Sequence, residues 1–171
     1  MNILMLGALM LIAGSAVAET GTAEIHATAD GSSISGIVTL EDVPGGVKVT
    51  ARLAGVPAGP HGFHVHEFGS CVDAGKAAGA HYNPKGSHHG RVQADGVKKA
   101  HAGDLGNITA GADGTATLEA TIPKVSLTGG RYAFAGRAVV LHEKADDFSQ
   151  PAGNAGSRIG CGVIVIVAEG K

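Results

Sequence analysis

Tryptophan is missing from this 171-residue chain, and four Phe and two Tyr are its only other aromatic side chains. A core built from it must rest mainly on Val, Ile, Leu and Ala. Charged residues reach only 16%, below the usual quarter. The net charge of −2 lacks the basic excess of a nucleic-acid binder, so nucleic acid is not an expected partner. Long helical periodicity is absent, which argues against a helical bundle. Beyond the first eighteen residues no apolar run approaches membrane-spanning length.

The first eighteen residues, MNILMLGALMLIAGSAVA, carry no charged side chain. "AVA" before Glu19 fits the small-x-small rule for cleavage of a secretory signal peptide. The segment lacks the usual Lys or Arg, and an uncleaved anchor is the alternative. No cysteine lies near the cut, which argues against a lipid anchor. The expectation is a signal peptide at 1–18 and one mature domain at 19–171, periplasmic or otherwise exported, with no stable membrane association after cleavage. An exported chain meets oxidising conditions, so its two cysteines, Cys71 and Cys161, are expected to form a disulfide.

Short stretches alternate polar and apolar residues with period two, as in SISGIVTLEDV (Ser33–Val43), VKVTARLAGV (Val47–Val56) and TATLEATIP (Thr115–Pro123). Turn signals separate them: PGG at Pro44–Gly46, DGT at Asp113–Thr115, TGG at Thr128–Gly130. RAVVLH (Arg137–His142) and CGVIVIV (Cys161–Val167) are continuous apolar runs and predict buried strands. About eight strands with tight turns predict an all-β sandwich or barrel. Glu67–Gly106 and Glu143–Arg158 break the rhythm. Each follows a histidine-bearing strand, and long irregular segments in a compact domain are often functional.

Histidine is in excess. Nine occur, seven of them between His61 and His101. In GFHVHEFGSC, His64 and His66 share one face of a strand and Val65 takes the other. Alone, such a pair is more often surface decoration than a site. Downstream, however, AHYNPKGSHHG supplies His81, His88 and His89, HAGD supplies His101 and Asp104, and LHEKADD supplies His142 and Asp146. A pool rich in imidazole with one or two carboxylates suits zinc, copper, iron or nickel. Three histidines with one carboxylate suit a closed tetrahedral zinc site.

GFHVHEFG, HYNP, HAGDLGN, LHEKADD and GNAGSRIGCGVI follow one another in this order. They closely resemble the signature segments of the copper/zinc superoxide dismutases, and the resemblance runs from about Glu24 to Val167. It implies an eight-stranded antiparallel Greek-key sandwich or flattened barrel with two long functional loops. It implies dismutation of superoxide, the substrate, to oxygen and hydrogen peroxide by one-electron cycling of a histidine-bound copper beside a structural zinc. Copper would be held by His64, His66, His81 and His142. Zinc would be held by His81, His89, His101 and Asp104, with His81 bridging and taking up a proton. In GSHHG the resemblance selects His89 as the ligand and leaves His88 as the runner-up. Asp146 would join a copper ligand to a zinc ligand, and His61 would be a hydrogen-bonded packing residue. Arg158 would sit beside copper to capture the anion, with Lys144 adding positive potential. The Cys71–Cys161 bridge would tether the loop after His66 to the strand carrying Arg158. His26 is expected to be an exposed or satisfied histidine.

Two departures qualify the resemblance. Cys71 follows His66 by only five residues, more like bacterial exported members than the animal cytosolic form. The stretch from Asp147 to Gly156 is short, and steering charges found there in the animal form have no counterparts. A homodimer is compatible with the resemblance, but bacterial and animal members use different faces of the sandwich. A metal carrier with the same fold should lack a copper histidine or the arginine. An immunoglobulin-like module should show a core tryptophan.

Overall fold

Alternation of apolar and polar residues in this chain writes directly into strands, and the strands close on themselves. The computed structural model describes residues 18–168. Residues 1–17 of the expected signal peptide lie outside the described residues. The strands are β1 (Thr20–Ala27), β2 (Ser35–Val43), β3 (Gly46–Ala54), β4 (Gly59–His66), β5 (Asp104–Ala110), β6 (Ala116–Pro123), β7 (Ala138–His142), β8 (Arg158–Val163) and β9 (Val165–Val167). Their order is β2-β3-β6-β5-β4-β7-β8-β1-β9, with β1 also paired to β2, so eight strands form a closed barrel. Closure removes open sheet edges. Pairing is antiparallel from Thr20↔Glu41 to His26↔Ser35 on one side of β2, and from Ser35↔Ala54 to Val43↔Gly46 on the other. β4 lies beyond β5 and β6 from β3, which is a Greek-key crossover.

The burial pattern follows the sequence. Val38 and Leu40 of β2, and Val47, Val49, Ala51 and Leu53 of β3, face inward. They join Ile25, Phe63, Ile108, Ile122, Phe134, Leu141 and Ile164 in one core. Each large side chain taken fully from water contributes roughly 1.5–3 kcal/mol. The turn Pro44–Gly45 closes the β2–β3 hairpin, with Gly45 at φ 92°. The run CGVIVIV is not one strand. At Ile164 the backbone leaves the ladder: Gly136 donates to Ile164 O at 2.9 Å and Ile164 donates to Arg137 O at 2.8 Å. That break buries Ile164 and yields β9, an addition to the eight strands expected.

The two irregular segments lie where alternation stops. The first carries a 3-10 turn (Lys76–Ala78) and one short helix, α1 (Val92–Asp95). It ends earlier than Gly106, because Asp104 already heads β5. Register shifts occur between Gly62 and His64 on β4 and between Leu141 and His142 on β7. Both flank histidines, and such bulges re-aim side chains at sites.

Candidate metal centre

β4 is buried along its length from His61 to His66. Phe63 and Val65 belong to the core, while His64 and His66 lie under the two long loops. His142 ends β7 beside them, and His81 forms an isolated bridge with His66. Two four-residue groups of ligand atoms result, His64, His66, His81 and His142, and His81, His89, His101 and Asp104, and a third of three residues, His64, His89 and Asp146, links them. Within each group these atoms lie within 4.8 Å of one another. His81 belongs to both four-residue groups. Its Nδ1 is 2.9 Å from Asp104 Oδ1, which leaves Nε2 for the first group.

Hydrogen bonds select the tautomers. Asp146 takes His64 Nε2 at 2.9 Å and His89 Nε2 at 2.9 Å. Both rings are thus protonated on Nε2, and their Nδ1 lone pairs are left over. His64 Nδ1 and His89 Nδ1 are the two buried side-chain polar atoms without a partner among the described residues. His89 Nδ1 does lie 2.9 Å from Asp104 Oδ2, but without hydrogen-bond geometry. In the first group His66 Nδ1 donates to Gly79 O at 3.0 Å and His142 Nδ1 to Gly156 O at 3.3 Å. Their Nε2 atoms then face each other at 3.2 Å as two acceptors. Acceptors held together in a dry site require a cation between them. The residues therefore fit two metal ions.

The electrostatics agree. Burial, reinforced by neighbouring imidazoles, lowers His66 to about 2 and His142 to about 3. Burial also lowers His81 to about 4 despite its bond to Asp104. Neutral imidazole is the ligating form. His89 goes the other way: burial opposes its charge, but contacts with Asp104 and Asp146 outweigh it and hold the ring up at about 9. Burial penalises the Asp104 carboxylate, yet hydrogen bonds from His101 and His81, with the His89 ring close beside it, hold it well below the usual carboxylate range. Asp146 is likewise held low against burial by His64 and His89.

A cleft of about 390 Å³ opens onto the first group, lined by His66, His81, His142, Pro151, Asn154 and Arg158. Arg158 lies at the start of β8 and donates to the carbonyls of Gly75 and Gly79. Gly79 O thus receives both Arg158 and His66. Cys71 and Cys161 are joined, with Cα atoms 5.7 Å apart. His61 sits outside both groups; its ring contacts His142 O and Pro57 O, each at 2.8 Å. His88 is exposed and in neither group, whereas His89 is buried in one. His26 is exposed, 3.7 Å from Glu24 Oε2. Lys144 is exposed next to Gly156 at the cleft.

Several supporting residues escaped the sequence reading. The Asn107 amide brackets the Asp146 backbone, donating to its carbonyl at 2.9 Å and accepting from its N–H at 2.7 Å. Asn107 stood inside the quoted HAGDLGN segment, so the signal was present without a role attached. Phe148 and Gln150 lie against His89. An aromatic in a polar loop of an aromatic-poor chain was the available clue for Phe148.

A family model described as copper/zinc superoxide dismutase matches residues 34–164. The chain is 40% identical over 132 residues to superoxide dismutase [Cu-Zn] 3 of Arabidopsis thaliana, covering 73% of this chain and 78% of that protein. The crystal structure of the clock protein EA4 is also similar, with a TM-score of 0.77 and 34% identity over 92% of this chain and 100% of the other.

Proposed function

The chain belongs to the copper/zinc superoxide dismutase family, and from that premise we propose how its residues divide the dismutation of superoxide to oxygen and hydrogen peroxide. His64, His66, His81 and His142 hold copper. His81, His89, His101 and Asp104 hold zinc. The observation that carries this reading is the pair of buried, unpartnered Nδ1 atoms on His64 and His89, left free because Asp146 occupies both Nε2 atoms. Copper, when bound, supplies one-electron exchange with superoxide, and zinc supplies a fixed charge beside His81.

The chain does the rest. Arg158 binds and orients the small anion with a planar, permanently charged fork. Burial lowers its pKa, but guanidinium starts so high that the charge is kept. Two carbonyls fix its direction, so little ordering is needed when the anion arrives. His81 holds and delivers a proton at Nε2, the nitrogen on the side of the first group, while Nδ1 faces Asp104 and the second group, and burial keeps the ring otherwise neutral. Asp146 fixes the tautomers of one ligand in each group, and Lys144 adds positive potential at the mouth.

Dismutation by the mature chain loaded with copper and zinc, beside His64→Ala and Arg158→Ala, tests this division. His64→Ala is expected to lose copper and activity. Arg158→Ala should keep both metals, with its second-order rate about 10-fold lower or more at low salt and a flatter salt dependence. Full copper occupancy without dismutation by the unaltered chain would overturn the reading.

We also infer export, with residues 1–18 removed and a periplasmic or otherwise extracytoplasmic mature chain acting on superoxide there. The bridge between Cys71 and Cys161 supports an oxidising compartment. We infer too that the mature chain forms a homodimer, the commonest closed assembly of a soluble domain. Intact mass of the exported protein should correspond to a chain beginning at Glu19, and light scattering should give twice that mass. A monomer, or a retained leader, would refute the corresponding inference.

A further inference from the structure

The Asp146–Gly153 segment meets His89 in more ways than the carboxylate of Asp146 alone. The side-chain amide of Gln150 accepts from His89 N at 3.0 Å and donates to His89 O at 2.9 Å. This two-point clamp holds the ligand's backbone much as a neighbouring strand would. The Phe148 ring lies nearly parallel to the His89 imidazole, at 15° with centroids 6.3 Å apart, an offset arrangement. Arg91, two residues beyond His89, places its guanidinium 4.0 Å from the centre of the same Phe148 ring. Phe148 occupies the left-handed region at φ 62°, which a bulky residue adopts only when its surroundings enforce it. Its N–H donates to Asp146 Oδ1 at 2.8 Å.

We propose that Gln150 and Phe148 are positioning residues for His89, together forming a mount that sets the affinity and geometry of the zinc group. The inference rests on His89 being a zinc ligand. His89 sits on an irregular segment that no strand steadies from its own ladder. The clamp supplies that missing backbone support, and the ring of Phe148, weighted by Arg91, restricts tilt of the imidazole plane. Asp146 alone fixes only Nε2.

The test uses the mature protein, with zinc affinity measured by chelator competition and geometry read from the visible ligand-field bands of cobalt placed in the zinc group. Gln150→Ala and Phe148→Leu are each expected to weaken zinc about 10-fold or more, the scale on which groups supporting a ligand act, and to shift the cobalt bands. Copper affinity and the far-ultraviolet spectrum should stay unchanged. Gln150→Glu keeps the acceptor and loses the donor, so it should fall between wild type and Gln150→Ala. Phe148→Tyr retains the ring and should recover wild-type affinity and bands. His89→Ala is the control for the underlying reading. If it loses zinc while Gln150→Ala and Phe148→Leu stay within twofold of wild type with unshifted bands, the mount is refuted and the ligand assignment stands. If His89→Ala binds zinc normally, the ligand assignment itself falls.

Discussion

Gly153→Ala is expected to weaken zinc binding by about 10- to 100-fold and to lower dismutase activity with it. Gly153 sits at φ 73°, where any residue with a Cβ is strained. Strain is the smaller part. A Cβ at this position would coincide with Asp146 Oδ1 and lie 2.7 Å from His89 Nε2. The carboxylate has no room to retreat, because Asn107 brackets its backbone and Phe148 N–H holds the same oxygen. The substitution therefore separates Asp146 from His89, and the loss of that contact releases the tautomer that leaves Nδ1 free. Gly129→Ala is the control: Gly129 has nearly the same φ, 72°, with nothing within 4 Å of a new Cβ. Chelator competition on both variants separates clash from strain. Equal zinc affinities for the two would refute the steric argument.

Strand positions were legible because burial on one face imposes a period-two pattern, and β2, β3 and β6 emerge within two residues of their alternating stretches. The division of the last apolar run was not legible. Ile164 leaves its ladder to bond with Gly136 and Arg137, and a continuous apolar run carries no mark of such a change of partner. The candidate ligands were visible as residue types, and only the family resemblance sorted them into two groups. His88 and His89 show why. Adjacent residues in an irregular segment have no periodicity to say which faces inward, and the partner that meets the inward ring, Asp146, lies 57 residues away. Asn107 acts across 39 residues through the backbone of Asp146. Amides that bracket a distant backbone contact no particular side chain, so no local motif announces them. Arg158 lies at the cleft, and its anchoring by two glycine carbonyls belongs to loop geometry that composition does not encode.

Replacing Cys71 and Cys161 together by Ser is expected to lower the stability of the metal-free mature fold by about 4–5 kcal/mol, taking the chain-entropy model as an upper estimate. The bridge spans a sequence separation of 90, so the unfolded chain regains a large loop freedom when it is lost. For a domain of this size the drop corresponds to about 10–20 °C in Tm. Metal-free protein is the material to measure, since bound ions would add their own stabilisation and mask part of the change. The effect also has a local arm. Cys161 lies on β8, three residues beyond Arg158, and Cys71 lies on the loop whose Gly75 and Gly79 carbonyls receive the Arg158 guanidinium. Gly79 O also fixes His66 Nδ1–H. Bridge and guanidinium thus hold the same loop at two points, and removing the covalent one leaves the polar one to bear the loop's motion. Loss of the bridge should then reduce the rate with superoxide in fully metallated protein, in the same direction as Arg158→Ala and by less, because the cation remains near the cleft. Calorimetry and rate measurements on the double variant check both arms. A Tm within about 3 °C of wild type would remove the stability argument, and an unchanged rate would show that Arg158 holds its loop without the disulfide.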